Sequence, residues 1–339
     1  MNEKCKELTK QIETIESARV INYVLAELLQ GPSATIGMDA LRLFSRHLDA
    51  IGTTDKIALF LYTTGGDTMV PWRLVNLIRE YCKRFVVLVP YKAHSAGTLI
   101  CLGADEIIMT KNGELSPVDP SVSNAFNPVS PAPPGVPSAQ LPQNRIPISV
   151  EDVAAYFKLA IDRAGLDTPE GRLGAFQQLA SVVHPLALGN VQRSQMQIRD
   201  LAKKLLGLHM DLNNQEQREK CDFIVDTLTE KLYSHRHLIP RREAKEIIGL
   251  KVRYPENELE NLMMSLYREY ESELSIGGMF NPMLELGDRT ELAKELTIAK
   301  IETTGTEDKF VLKGRIIRAA QPNQPPSVNI YDQRWERIL

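Results

Sequence analysis

Residues 91–109 read YKAHSAGTLICLGADEIIM, and this stretch decides the fold. It overlaps the end of RFVVLVPY, a short and almost continuous apolar run of the kind a strand covered on both faces requires. AGTLICLGA then reads as a small-residue helix and DEIIMT as another strand. Upstream, KIALFLYTT is a further buried strand closed by Gly65-Gly66, and MVPWRLVNLIREYCK has helical spacing. Strand, helix, strand, helix, strand in this order predicts an α/β fold with parallel pairing and crossover helices.

Further out the pattern is more varied. The first thirty or so residues, including ARVINYVLAELL, read as helical up to Gly31-Pro32, and MDALRLFSRHLDAIG is a second helix with a C-terminal glycine. Between Pro117 and Pro147 lie nine of the chain's twenty prolines. Proline lacks an N–H and biases its predecessor away from helix, so this stretch predicts an extended arm, a lid or an excursion. Helices resume at SVEDVAAYFKLAIDRAG, with Ser149 as N-cap, and continue through PEGRLGAFQQLASVV and VQRSQMQIRDLAKKLLGLHM. REAKEIIGL predicts a last short helix. From about Tyr254 an amphipathic helix, PENELENLMMSLYREYESEL, precedes a β-hairpin of ELTIAKIETT and DKFVLKGRIIR turning at GTED. The organisation expected is a core over residues 1–253, with an insertion over 120–180, and an extension over 254–339 that offers a partner surface.

With 339 residues, 43% hydrophobic and 24% charged, the chain has the composition of a soluble globular protein. A net charge of −3 gives no electrostatic case for nucleic acid or an anionic membrane. No apolar run is long enough to span a bilayer, and the charged start lacks a signal-peptide core. Four scattered cysteines without a CxxC pair fit a reducing compartment, so a cytoplasmic location is expected.

Two features fall at the ends of successive strands. Gly65-Gly66 allows backbone N–H groups to turn outward and approach a ligand; the plain alternative is a turn needing positive φ. Ser95 sits where a strand passes into a helix, with the N–H of Ala96 free to donate to an oxyanion; the plain alternative is a helix cap. The first glycine of G-x-S-x-G is missing, which excludes an α/β-hydrolase elbow. His94 abuts Ser95, but neighbouring strand residues face opposite ways. His235 and His237 lack further metal ligands in sequence, and no phosphate loop or dinucleotide fingerprint occurs, so neither metal nor cofactor is expected.

YTTGGDTMVPWRLVNLIREY followed by VPYKAHSAGTLICLGADEIIMTKNGELSPVDP resembles the serine peptidases of the Clp protease and signal peptide peptidase A group, within the crotonase-like fold. The closer resemblance is to the serine dehydrogenase proteinases, over roughly residues 18 to 252. It implies stacked β-β-α units, homo-oligomers that shield the active sites, and peptide or protein substrates. It also implies Ser95 as nucleophile, with an oxyanion hole from Gly65, Gly66 and the Ala96 N–H.

The resemblance further implies the general base. The Clp-type position after the serine holds Asp119, while VVHPLALGNVQRSQMQIRDLAKKLL is similar to the Clp-type segment that starts at its histidine. His184 is therefore the expected base and Asp119 its orienting carboxylate. The late Clp-type aspartate has no counterpart, because TEKLYSHRHLI offers Leu232 or a neighbour there. Signal peptide peptidase relatives use a lysine, and Lys158 is the alternative base. Competing functional classes are a catalytically silent scaffold of the same fold and a crotonase-type acyl-CoA enzyme.

Overall fold

The computed structural model describes residues 2–118, 121–122, 124–130, 145–232, 237–319 and 324–338. Helix α1 (Glu3–Glu16) ends at Ser17 in the left-handed conformation, and strand β1 (Arg19–Leu25) follows. The expected helix over ARVINYVLAELL is thus a strand. The reason is burial: β1 lies between two other strands with both faces covered, and such a run is as uniformly apolar as a buried helix. Next come α2 (Ala40–Ile51), β2 (Thr54–Tyr62), α3 (Val70–Arg79), β3 (Cys82–Val89), β4 (Lys92–Ala93), α4 (Ala96–Leu102) and β5 (Glu106–Met109). β1–β2, β2–β3 and β3–β5 all pair in parallel, the α/β arrangement expected for this part of the chain.

Alternate residues of these strands feed two cores. Ile57, Leu59 and Leu61 of β2 with Phe85, Val87 and Val89 of β3 face the main cluster, where α4 is also buried. Ala58, Phe60, Val86 and Leu88 face a second cluster built from Cys5 and Ile12 of α1. Burial on both faces explains why the strands carry no polar alternation.

The chain then leaves the sheet. β6 (Glu114–Leu115) pairs with β4, and β7 (Ser121–Val122) pairs antiparallel with β8 (Ile148–Ser149). Ser149 caps α5 (Val150–Lys158) by accepting the amides of Glu151 and Asp152, as expected. α6 (Pro169–Val182), α7 (Pro185–Leu206) and α8 (Gln215–Asp226) follow. The far half of α7 (Ile198, Ala202, Leu205 and Leu206) lies in the main core. Its first turns do not: Ala187 and Val191 form a separate small cluster with Ile148 and Val150. REAKEIIGL forms the expected short helix, as a π-helical turn over Glu243–Ile247, between β9 (Ile239–Pro240) and β10 (Val252–Arg253).

After Tyr254, α9 (Asn257–Glu273) lays Leu259, Met263, Leu266 and Tyr270 on the second core beside α1. A short helix, α10 (Pro282–Leu286), leads to the expected hairpin of β11 (Glu291–Glu302) and β12 (Glu307–Ile317). A third strand that sequence reading passed over, β13 (Ser327–Ile338), completes it. β11 pairs antiparallel with β1, so one eight-stranded sheet runs β10-β5-β3-β2-β1-β11-β12-β13. Among the described residues no helix is long and apolar enough to cross a membrane.

Candidate active site

β4 ends at Ala93, α4 begins at Ala96, and Ser95 between them has φ 50° and ψ −112°. A non-glycine residue at positive φ is strained and persists only where its surroundings over-determine it. Those surroundings are specific. The Ser95 N–H donates to Ser116 Oγ at 2.8 Å, and the Gly97 N–H donates to His94 O at 2.7 Å. The Leu99 N–H donates to Ser95 O at 3.1 Å, which anchors the first turn of α4. Thr98 Oγ1 donates to Ala93 O at 2.9 Å, closing the turn from inside. The Ser95 side chain makes no capping bond, so the plain helix-cap reading of this serine does not describe it.

The Gly65-Gly66 turn lies against this one. Thr63 N–H donates to Lys92 O at 3.0 Å and His94 N–H to Thr63 O at 3.1 Å, which locks the two loops side by side. A Cβ on Gly65 (φ 118°) would lie 2.8 Å from Ser95 Cβ and 3.3 Å from its Oγ. Only glycine leaves room there for the serine side chain. The Gly65 N–H, expected as an oxyanion donor, is engaged: it donates to Thr63 Oγ1 at 3.0 Å. The amides of Gly66 and Ala96 have no hydrogen-bond partner among the described residues, and Ala96, as the first residue of α4, has none inside the helix.

Behind Ser95 stands a half-buried ionic group. His94 Nε2 lies 3.1 Å from Glu114 Oε1, at ion-pair distance but not aligned as a hydrogen bond. Lys92 pairs with Glu27, which also accepts from the Tyr62 hydroxyl at 3.3 Å. Burial, assisted by the Lys92 charge, pushes the His94 imidazole down to about 4, so it is neutral at pH 7. Burial pushes the Glu114 carboxyl up, against the pull of Lys92.

The expected bases are placed differently. Asp119 lies outside the described residues, as does His235. His184 is the exposed N-cap of α7: its Nδ1 accepts the Leu186 N–H at 3.2 Å, and its ring stacks on Phe126 at 4.9 Å. It makes no hydrogen bond with Ser95. Ile198, where α7 enters the main core, lies fourteen positions further on, or about 21 Å of helix. An imidazole whose Nδ1 accepts a hydrogen bond carries its proton, when neutral, on Nε2. Service as a base through Nε2 therefore requires release of the cap. Lys158 is exposed at the end of α5 and lines a groove with Glu151, Asp162 and Glu230. His237 pairs with Glu243 at 2.8 Å.

Three residues that shape the site were passed over in the sequence. Thr63 and Ser116 supply the hydroxyls that hold the two turns. Ile36 bridges the Gly65-Gly66 turn through its backbone. A threonine two residues before a glycine is a local turn signal, legible in YTTGG. Ser116 and Ile36 act across the fold and leave no such mark.

The fold and site define an α/β protein with a strained, uncapped serine beside a glycine turn. Over residues 39–132, which contain both turns, the chain matches the model of the ClpP-like SDH-type serine proteinases. Two uncharacterized proteins of Methanocaldococcus jannaschii are similar. MJ0137 is 27% identical over 224 residues, covering 66% of this chain and 63% of that protein. MJ1495 is 39% identical over 66 residues, covering 20% of this chain and 23% of that one. The chain thus spans less than two thirds of either relative. Among solved structures, a point mutant described as the 1510-N membrane-bound stomatin-specific protease aligns with TM-score 0.38 and 15% identity, over 67% of this chain and 79% of that one.

Proposed function

We propose that the protein is a serine peptidase in which Ser95 Oγ attacks the carbonyl carbon of a peptide bond. The observation that carries this reading is the conformation of Ser95: a strained residue, free of capping, with a glycine opposite it where any side chain would collide. The developing oxyanion would be received by the Gly66 and Ala96 amides, while Gly65 makes room for the nucleophile. Attack forms the Oγ–C bond, the C–N bond breaks, and the amine leaves with the serine proton delivered through the base. Water then hydrolyses the acyl-enzyme. His184 is assigned as base and Asp119 as its orienting carboxylate on sequence grounds, with Lys158 the alternative. Residues 1–253 would carry the chemistry and 254–339 would serve as an extension completing the sheet. Substrates would be peptides or proteins, and the working form a homo-oligomer. Four cysteines, all free and buried, are in keeping with the reducing cytoplasm. The test is hydrolysis of a fluorogenic peptide library by the wild type and by Ser95→Ala. The reading expects cleavage that disappears in the variant; cleavage persisting undiminished in Ser95→Ala would end it.

One observation favours a second reading, a silent scaffold of the same fold. His184 Nδ1 is committed to its helix, and among the described residues no hydrogen bond joins the Ser95 side chain to a base. Under that reading Ser95→Ala leaves the assembly and its cellular role intact.

A further inference from the structure

The segment joining β1 to α2 crosses the Gly65-Gly66 turn. Ile36 is bonded to it on both sides: its N–H donates to Gly65 O at 2.9 Å, and the Asp67 N–H donates to Ile36 O at 2.9 Å. A Cβ on Gly66 would lie 2.4 Å from Ile36 N and from Ile36 O. The direction of the Gly66 N–H is therefore set by Ile36 as much as by β2. Three residues further on, Asp39 stands at the N-cap position of α2 and yet makes no capping bond. Its carboxylate instead accepts the indole N–H of Trp335 at 2.7 Å. Trp335 belongs to β13, near the far edge of the sheet, and packs edge-on against Phe310 at 5.3 Å. Beneath the crossing segment is a cavity of about 320 Å³, lined by Leu25, Pro32, Ala34, Ile298, Phe310 and Trp335. Part of the segment thus has open volume below it rather than packed side chains. Among the described residues, the Trp335–Asp39 bond is the hydrogen bond that ties it to β13.

We propose that Trp335 is a positioning residue for the oxyanion turn, acting through Asp39 and Ile36 on the Gly66 N–H. The proposal rests on the serine-peptidase reading of that turn and gives the β13 strand a role in it. Two measurements on the full chain test it together: amide hydrogen exchange at Ile36 and Asp67, and the rate of Ser95 labelling by a fluorophosphonate. Trp335→Phe keeps the ring against Phe310 and removes the N–H. Both amides should exchange about tenfold faster, and labelling should slow about tenfold, the equivalent of one hydrogen bond to a charged group. Asp39→Ala should reproduce both effects and guards against a folding defect peculiar to the tryptophan variant. Asp39→Asn, which keeps an acceptor, should restore both. Unchanged exchange at Ile36 and Asp67 overturns the proposal, as does faster exchange spread evenly into β3. Faster local exchange with unchanged labelling overturns the link to the oxyanion turn. Local exchange that responds in a wild type never labelled at Ser95 supports the coupling and sinks the peptidase reading instead.

Discussion

Two helices of this chain show how differently a serine and a histidine can be held. Every residue of α4, which starts directly after Ser95, is buried, and the turn before it is fixed by partners from the turn after β2, from β4 and from the loop after β6. α6, which leads into His184, buries only Ala175, and leaves Leu173 at 56%, Phe176 at 47% and Val182 at 70% exposure. Ser95 is therefore placed by the packing of the whole core. The histidine is placed by its own helix end and one aromatic neighbour. A site that draws on both regions has one rigid half and one half whose position depends on local contacts alone.

The contrast is sharpest at two glycines. Gly65→Ala should abolish Ser95 labelling, since the new Cβ would sit 2.8 Å from Ser95 Cβ at a φ of 118°. Gly174→Ala, in α6, meets nothing within 4 Å and should stabilise the chain by about 0.5–1 kcal/mol through helix propensity. Labelling and denaturant midpoints measured on both would break the comparison if the two variants behaved alike. Truncation should follow the same division. Leu99→Ala in the buried α4 should cost about 2–5 kcal/mol, whereas Phe176→Ala should cost less than about 1 kcal/mol in urea unfolding.

Acid sharpens the comparison from the other direction. The folded His94 has its pKa depressed from 6.5 to about 4, so between those values the unfolded chain binds the proton first. Stability is then lost as pH falls through that window, by at most about 3 kcal/mol from this residue. Burial lowers His47 and His209 in the same direction. Glu114, raised by burial, opposes the effect, because the folded state holds its proton more tightly above pH 4.5. His94→Asn should flatten the acid limb of a stability–pH profile, and an unchanged limb would remove His94 from this account. A similarly small effect on stability is expected at His184. His184→Ala should lose about 1 kcal/mol of capping, while His184→Asn retains a capping acceptor. If His184 is the base, both substitutions abolish labelling; if it is only a cap, neither does.

What could be read from the sequence follows the same boundary. The strand–helix alternation from residue 54 to 109 was legible because each element is short, apolar and bounded by glycine or a charged turn. The positions of Ser95 and of the glycine turn were legible because both lie at strand ends. β1 was misread because burial on both faces erased its period. β13 was passed over because its mostly exposed residues neither alternate nor carry a core signal. The engagement of the Gly65 amide by Thr63, and the crossing of the turn by Ile36, depend on segments brought together by the fold. The placement of His184 depends on the end of α7 and on the Phe126 ring, a contact between segments far apart in the chain.

The central claim is that Ser95 is a nucleophile held by its strained turn. Its most direct test is peptide mapping after fluorophosphonate treatment of the intact chain. The account predicts a single covalent adduct on Ser95, absent from Ser95→Ala and from Gly65→Ala. Adduct on another residue, or equal labelling of wild type and Ser95→Ala, would contradict it.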